Sequence, residues 1–153
     1  MSRLARRITQ EFFPINAALE RAAAGWQKFK KSQDELYIDS VALNIQAAYS
    51  GLERLFELIA REIDNTRPEG INWHQLLLQQ MATERAGVRP PVISNETLKL
   101  LDEYRKFRHV VRHIYPDDFE IDKIETLATQ MKVTFSQVTE ELMIFAQFLE
   151  TKS

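Results

Sequence analysis

Apolar residues recur at three- and four-residue steps along most of this chain, and the period-two alternation of a half-buried strand is absent. The pattern is clearest at Val41, Ile45, Ala48, Leu52, Leu55, Phe56, Ile59 and Ile63, which share one face of a helix predicted over Ile38–Asp64. A second regular stripe runs through Ile121, Ile124, Ala128, Met131, Phe135, Val138, Leu142, Phe145 and Leu149. It reads as the seam of a bundle, with a helix–helix dimer contact as the other reading.

Between and before these stripes, local signals set the remaining boundaries. Arg3–Phe12 predicts a short helix, Pro14 a kink or restart, and Ile15–Lys31 a second helix rich in alanine and charge. Asn65–Gly70 is a loop by composition. Asn72 with Gln75 predicts a capped helix start, and Ile71 with Leu76 an apolar staple across it. That short helix ends before Ala86–Gly87, and Arg89–Pro90–Pro91 forbids its continuation. Ser94 or Asn95 caps a helix over Glu96–Ile114, Pro116 ends it, and Asp117 or Asp118 caps the last helix. The fold class is therefore all-α: an up-and-down bundle of four or five main helices in one domain spanning 1–153.

Composition narrows the chemistry. The 153 residues include no cysteine, which excludes disulfides, thiol catalysis and thiolate metal sites. Only 4 glycines and 5 prolines argue against hairpin-rich folds and Gly-rich phosphate loops. No stretch is apolar enough to span a membrane, and the residues after Met1–Arg7 form no apolar signal core, so a soluble cytoplasmic protein is expected.

The formal net charge of −2 argues, as an average, against a nucleic-acid partner. The distribution reverses that argument locally. Residues 1–113 carry 17 Lys or Arg and 14 acids, whereas 114–153 carry three lysines and eight acids. Arg105, Lys106, Arg108 and Arg112 fall within eight residues, with His109 and His113 among them. At about 100° per residue, Arg105, Arg108, His109 and Arg112 share one helical face, and Phe107, Val110, Val111 and Ile114 another. Clustered arginines suit a phosphodiester, and His113 at the helix end is able to exchange a proton near neutral pH. Arginine plus histidine suffices for metal-free RNA cleavage by the ribose 2′-hydroxyl. Arg108 and His113 lie five positions apart, so a regular helix points them about 140° from each other. They converge only if the helix end unwinds or a second subunit completes the site.

Blander readings stand beside this one. A basic face is often only solvated, and a histidine near a helix C-terminus often only meets the helix dipole. A metal at His109 and His113 is disfavoured by the arginines around it, and no metal or other cofactor is expected. His74 beside Trp73 reads as a helix-start or packing residue, and Trp26 and Trp73 as core or interface anchors. Glu53 and Glu57 read most simply as a solvated face, with orientation of a histidine as the other reading.

The run from Arg108 to Tyr115 reads Arg, four residues, His, one residue, Tyr, and resembles the signature of HEPN-domain ribonucleases, in particular the HepT toxin family. Tyr49–Phe56, Asn72–His74, Val88–Ser94 and Phe107–His113 are similar to HepT-like proteins as well. The resemblance implies an all-α HEPN bundle, a two-fold homodimer with a shared cleft, and a metal-independent endoribonuclease toxin. It implies Arg108 and His113 as the catalytic pair; the shared helical face adds Arg105, His109 and Arg112 as expected RNA phosphate contacts. It also implies a minimal nucleotidyltransferase antitoxin as partner, which adds AMP to Tyr115. HEPN-like bundles also serve as non-catalytic subunits that bind nucleotide or RNA or partner a nucleotidyltransferase, and a purely structural helical adaptor is a further reading.

Overall fold

The computed structural model describes residues 2–113 and 120–152, with the side chains of 109–113 outside that description. Among the described residues five helices follow one another: α1 (Arg3–Ser32), α2 (Leu36–Glu62), α3 (Trp73–Met81), α4 (Asn95–His113) and α5 (Ile121–Lys152). Among the described residues there is no strand, and the all-α bundle expected from the apolar periodicity is what forms.

α1 is one continuous helix, which corrects the expected break at Pro14. Proline removes a single backbone donor, and both Phe13 and Pro14 face solvent. On either side of it, Ile8 and Ile15, and beyond them Ala18, Ala22, Trp26 and Phe29, are buried on the same face. Packing of that whole face against α2 outweighs the local penalty. Ser2 caps the start, its hydroxyl accepting from the Ala5 backbone N–H at 3.0 Å. Gln33, in the left-handed conformation at φ 57°, closes the end. The α1–α2 approach is close: a Cβ on Gly51 would stand 2.9 Å from Ile15 Cγ1.

α2 is the central element. Its apolar stripe from Ile38 to Ala60 is buried, and α1, α3, α4 and α5 all pack on it. α5 runs antiparallel to α1, with Glu150 Oε1 accepting from the Ser2 backbone N–H at 2.8 Å. The regular stripe of α5 from Ile124 to Leu149 is buried within the chain, so it is a bundle seam. Ser94 is the cap of α4, its hydroxyl accepting from the Thr97 N–H at 3.1 Å, and Glu141 of α5 bonds Ser94 and Thr97. Tyr104 donates to the Leu127 carbonyl at 2.8 Å, and burial pushes its hydroxyl up to about 12. The expected caps Asp117 and Asp118, with Ile114 and Pro116, lie outside the described residues.

The start of α3 differs from expectation. Asn72 makes no capping bond, and Ile71 is 97% exposed, so neither the capping box nor the staple forms. α3 is instead held by tertiary contacts: Leu77, Leu78 and Met81 are buried, and Gln80 donates to Asp64 at 2.7 Å. Behind it sits a buried ion pair. Arg89 donates from Nε and Nη2 to the two Asp64 oxygens at 2.7 Å each, and its remaining donors reach the carbonyls of Thr83, Pro90 and Gln80. Every donor of this guanidinium finds an acceptor, which is what makes its burial tolerable.

Removing one partner leaves the other buried and uncompensated. Arg89→Ala is expected to cost about 3–5 kcal/mol in urea unfolding. Arg85→Ala, whose side chain is 38% exposed and 3.7 Å from Asp64, should cost less than about 1 kcal/mol.

Candidate functional site

The α2 segment Tyr49–Ser50–Gly51–Leu52–Glu53 faces α4 on one side and the start of α3 on the other. Glu53 is 3% exposed, although the sequence places it most simply on a solvated face. Its Oε2 lies 2.7 Å from His74 Nδ1, and its Oε1 lies 3.6 Å from Arg108 Nε. Arg108 Nε also donates to Ser50 Oγ at 3.3 Å. One carboxylate therefore joins α2, α3 and α4 at a single point. The reading of Glu53 as orienting a histidine is the one that holds, and it orients His74.

Arg108 is held but not used up. Its side chain is 13% exposed, and only Nε has a hydrogen-bond partner among the described residues. The Nη groups are left able to grip an oxyanion in the bidentate manner that guanidinium favours. Below it lies Tyr49, fully buried, whose hydroxyl has no hydrogen-bond partner among the described residues. Burial pushes that hydroxyl far above the usual phenol range, and the charge of Glu53 adds to the effect. It stays protonated and acts only as a neutral polar group.

The basic cluster is smaller than its composition suggests. Arg105 is bonded to Asp102 at 2.7 Å, and Lys106 lies 3.5 Å from Asp102 and 3.7 Å from Glu103. Burial alone would push the Asp102 carboxyl up, but the hydrogen bond and charge of Arg105, helped by Lys106, hold it below its usual range. The mutual repulsion expected of bare arginines is thus relieved by acids of the same helix. Arg105 and Arg108 both lie near Tyr49, on the α2 side of α4. The side chains of His109, Arg112 and His113, and the whole of Tyr115, lie outside the described residues.

His74, read as a helix-start or packing residue, does pack: its ring lies 3.6 Å from that of Trp73, centroid to centroid. Arg67 sits over the far Trp73 ring at 5.9 Å and pairs with Glu57 at 2.6 Å. Trp26 is a core anchor, 5.5 Å from Phe29. Among the described residues no group of three or more His, Asp or Glu is placed to hold a metal. No described helix is long and apolar enough to cross a membrane.

The HepT-like protein family model matches residues 40–149, most of the chain and all of the site just described. The chain belongs to the HepT-like family. No curated protein and no solved structure matches it. The family match begins in α2, so α1, which covers one side of this HepT-like protein's core, lies outside it. Neither charge nor spacing singles out Ser50, and neither pairs Glu53 with His74 in particular. Beside the reading of Glu53 as orienting a histidine, its signal is its place on the apolar face of α2: it stands one residue after Leu52 and two before Leu55.

Two glutamates of α2, Glu53 and Glu57, separate the buried pair from the exposed one. Glu53→Ala should cost about 3 kcal/mol, because it strands a half-buried guanidinium and an imidazole. Glu57→Ala, facing an Arg67 side chain that is 45% exposed, should cost less than about 1 kcal/mol by the same thermal or urea measurement.

Proposed function

We propose that this HepT-like protein is a metal-independent endoribonuclease toxin whose site contains Arg108 and His113. The observation that carries the reading is Arg108 itself. It is held through Nε by α2, and its Nη donors have no hydrogen-bond partner among the described residues, at the helix segment whose Arg-x4-His-x-Tyr spacing resembles the HEPN ribonuclease signature.

The chemistry needs few parts. The ribose 2′-oxygen attacks the adjacent phosphorus, a new O–P bond forms, and the bond from phosphorus to the 5′-oxygen breaks. One group takes the 2′-hydroxyl proton and one supplies a proton to the departing oxygen. Arg108 balances the charge that develops on the phosphoryl oxygens. His113 acts as a proton donor or acceptor, and Arg105, His109 and Arg112 contact flanking phosphates. A two-fold homodimer brings two such helix ends to one cleft. The partner is a minimal nucleotidyltransferase antitoxin that adds AMP to Tyr115. An added phosphate beside Arg108 would occupy the anion site and oppose RNA.

One observation favours a second reading, a non-catalytic subunit that binds nucleotide or RNA. Arg108 and Arg105 both already have carboxylate partners, which weakens the pull of the site on RNA.

Purified protein should cleave a mixed RNA pool in excess chelator and leave cyclic phosphate ends. Arg108→Ala and His113→Ala should each lower the rate at least about 100-fold while keeping the helical circular dichroism spectrum. Cleavage at the wild-type rate by either variant contradicts the mechanism, and no cleavage by a folded wild-type chain favours the second reading. Incubation with such a nucleotidyltransferase and ATP should raise the intact mass by one AMP unit in the wild type and leave Tyr115→Phe unchanged.

A further inference from the structure

Cleavage by the 2′-hydroxyl needs a proton acceptor and a proton donor, and in a single chain the reading above gives only His113 to proton transfer, with His109 as a phosphate contact. The structure holds another histidine on the carboxylate that faces Arg108. His74 Nδ1 lies 2.7 Å from Glu53 Oε2, and the other oxygen of that carboxylate faces Arg108. A carboxylate accepts and does not donate, so Nδ1 carries the hydrogen. In the neutral ring this leaves Nε2 with a lone pair, and Nε2 has no hydrogen-bond partner among the described residues. The side chain is 26% exposed, so the ring is anchored on one edge and reachable. A nucleophile's base held by a third, buried group is the general arrangement of activated hydroxyl chemistry.

We propose that His74 is a second acid–base residue of the ribonuclease site, taking the proton of the attacking 2′-hydroxyl at Nε2, with Glu53 as the residue that positions it. The assignment rests on the ribonuclease reading above. His74 accepts the 2′-proton, Arg108 holds the phosphoryl oxygens, and His113 gives a proton to the departing 5′-oxygen. Protons balance over the step, and bulk water restores each ring. Glu53 sets both the tautomer of His74 and the placement of Arg108, so acceptor and cation share one support. Three elements bring charge to this ring. They are Glu53 and Glu57 of α2, Arg108 of α4 reached through Glu53, and Arg67 across the Trp73 ring. The bland alternative is a histidine that merely pins α3 to α2.

Single-turnover cleavage of a short RNA by the full-length chain, followed between about pH 5 and pH 9, separates the two. The wild type should give a bell-shaped profile. His74→Asn, which keeps a side-chain N–H for Glu53, should lose the acid-side limb, with kcat down about 100-fold or more and KM little changed. Added imidazole should restore cleavage to His74→Ala in proportion to its concentration, an effect a structural pin does not produce. Glu53→Gln should keep both limbs while kcat falls at least about tenfold. A His74→Asn variant with the wild-type kcat and bell, or a His74→Ala variant indifferent to imidazole, overturns the assignment and leaves the ribonuclease reading standing. A folded wild-type chain that cuts no RNA overturns both.

Discussion

The carboxylate of Glu53 lies out of water near the middle of α2 and holds two partners from two other helices, His74 of α3 and Arg108 of α4. A buried carboxylate is costly unless it is hydrogen-bonded or paired, so α3 and α4 are constrained to deliver those groups. The start of α3 has no local capping bond, and its position follows from this pair together with the Asp64–Arg89 pair at its far end. Both ends of α3 are thereby tied to neighbouring segments by polar groups, His74 to Glu53 and Gln80 to Asp64, while Leu77, Leu78 and Met81 are buried between them. Stability and candidate chemistry meet at the same residues.

The same constraint sets the character of the site. Taken bare, the basic run of α4 has the charge of a nucleic-acid groove. With Arg105 paired to Asp102, Lys106 near Asp102 and Glu103, and Arg108 near Glu53, much of that charge is spent within the chain. Among the described residues of this run, what remains is the oriented guanidinium of Arg108 and not a row of bare cations. On the proposed ribonuclease reading, such a site would gain little from long-range attraction and depend on geometry at one phosphate.

The sequence made the fold class legible because burial in a bundle imposes its period on α2 and α5, and those stripes are buried as read except at Ile63 and Ile121, which are partly buried. Ser94 declared itself as a cap by standing before an apolar helix. Pro14 misled because its penalty is local and small beside the face that α1 buries on both sides of it. Asn72 and Gln75 misled in the opposite direction: the residue types suit a capping box, but docking of α3 is decided by groups far away in the chain. Within the site, Arg108 was legible from charge and spacing. Glu53 was legible as orienting a histidine only as the lesser reading, and His74 only as a helix-start or packing residue, because a charge on a helix face is ordinarily solvated, and only the meeting of α2, α3 and α4 turns these two into partners. The roles of His113 and Tyr115 rest on the signature spacing alone.

The central claim is that Glu53 and Arg108 act as one unit in cleaving RNA. A double-mutant cycle of Glu53→Gln and Arg108→Lys, read as the single-turnover rate of RNA cleavage, tests it most directly. The account predicts strong non-additivity, with a coupling of about 1 kcal/mol or more, because either change alone already disorders the pair. Effects that add to within about 0.5 kcal/mol would contradict it, since they would mean that the carboxylate and the guanidinium serve the reaction independently.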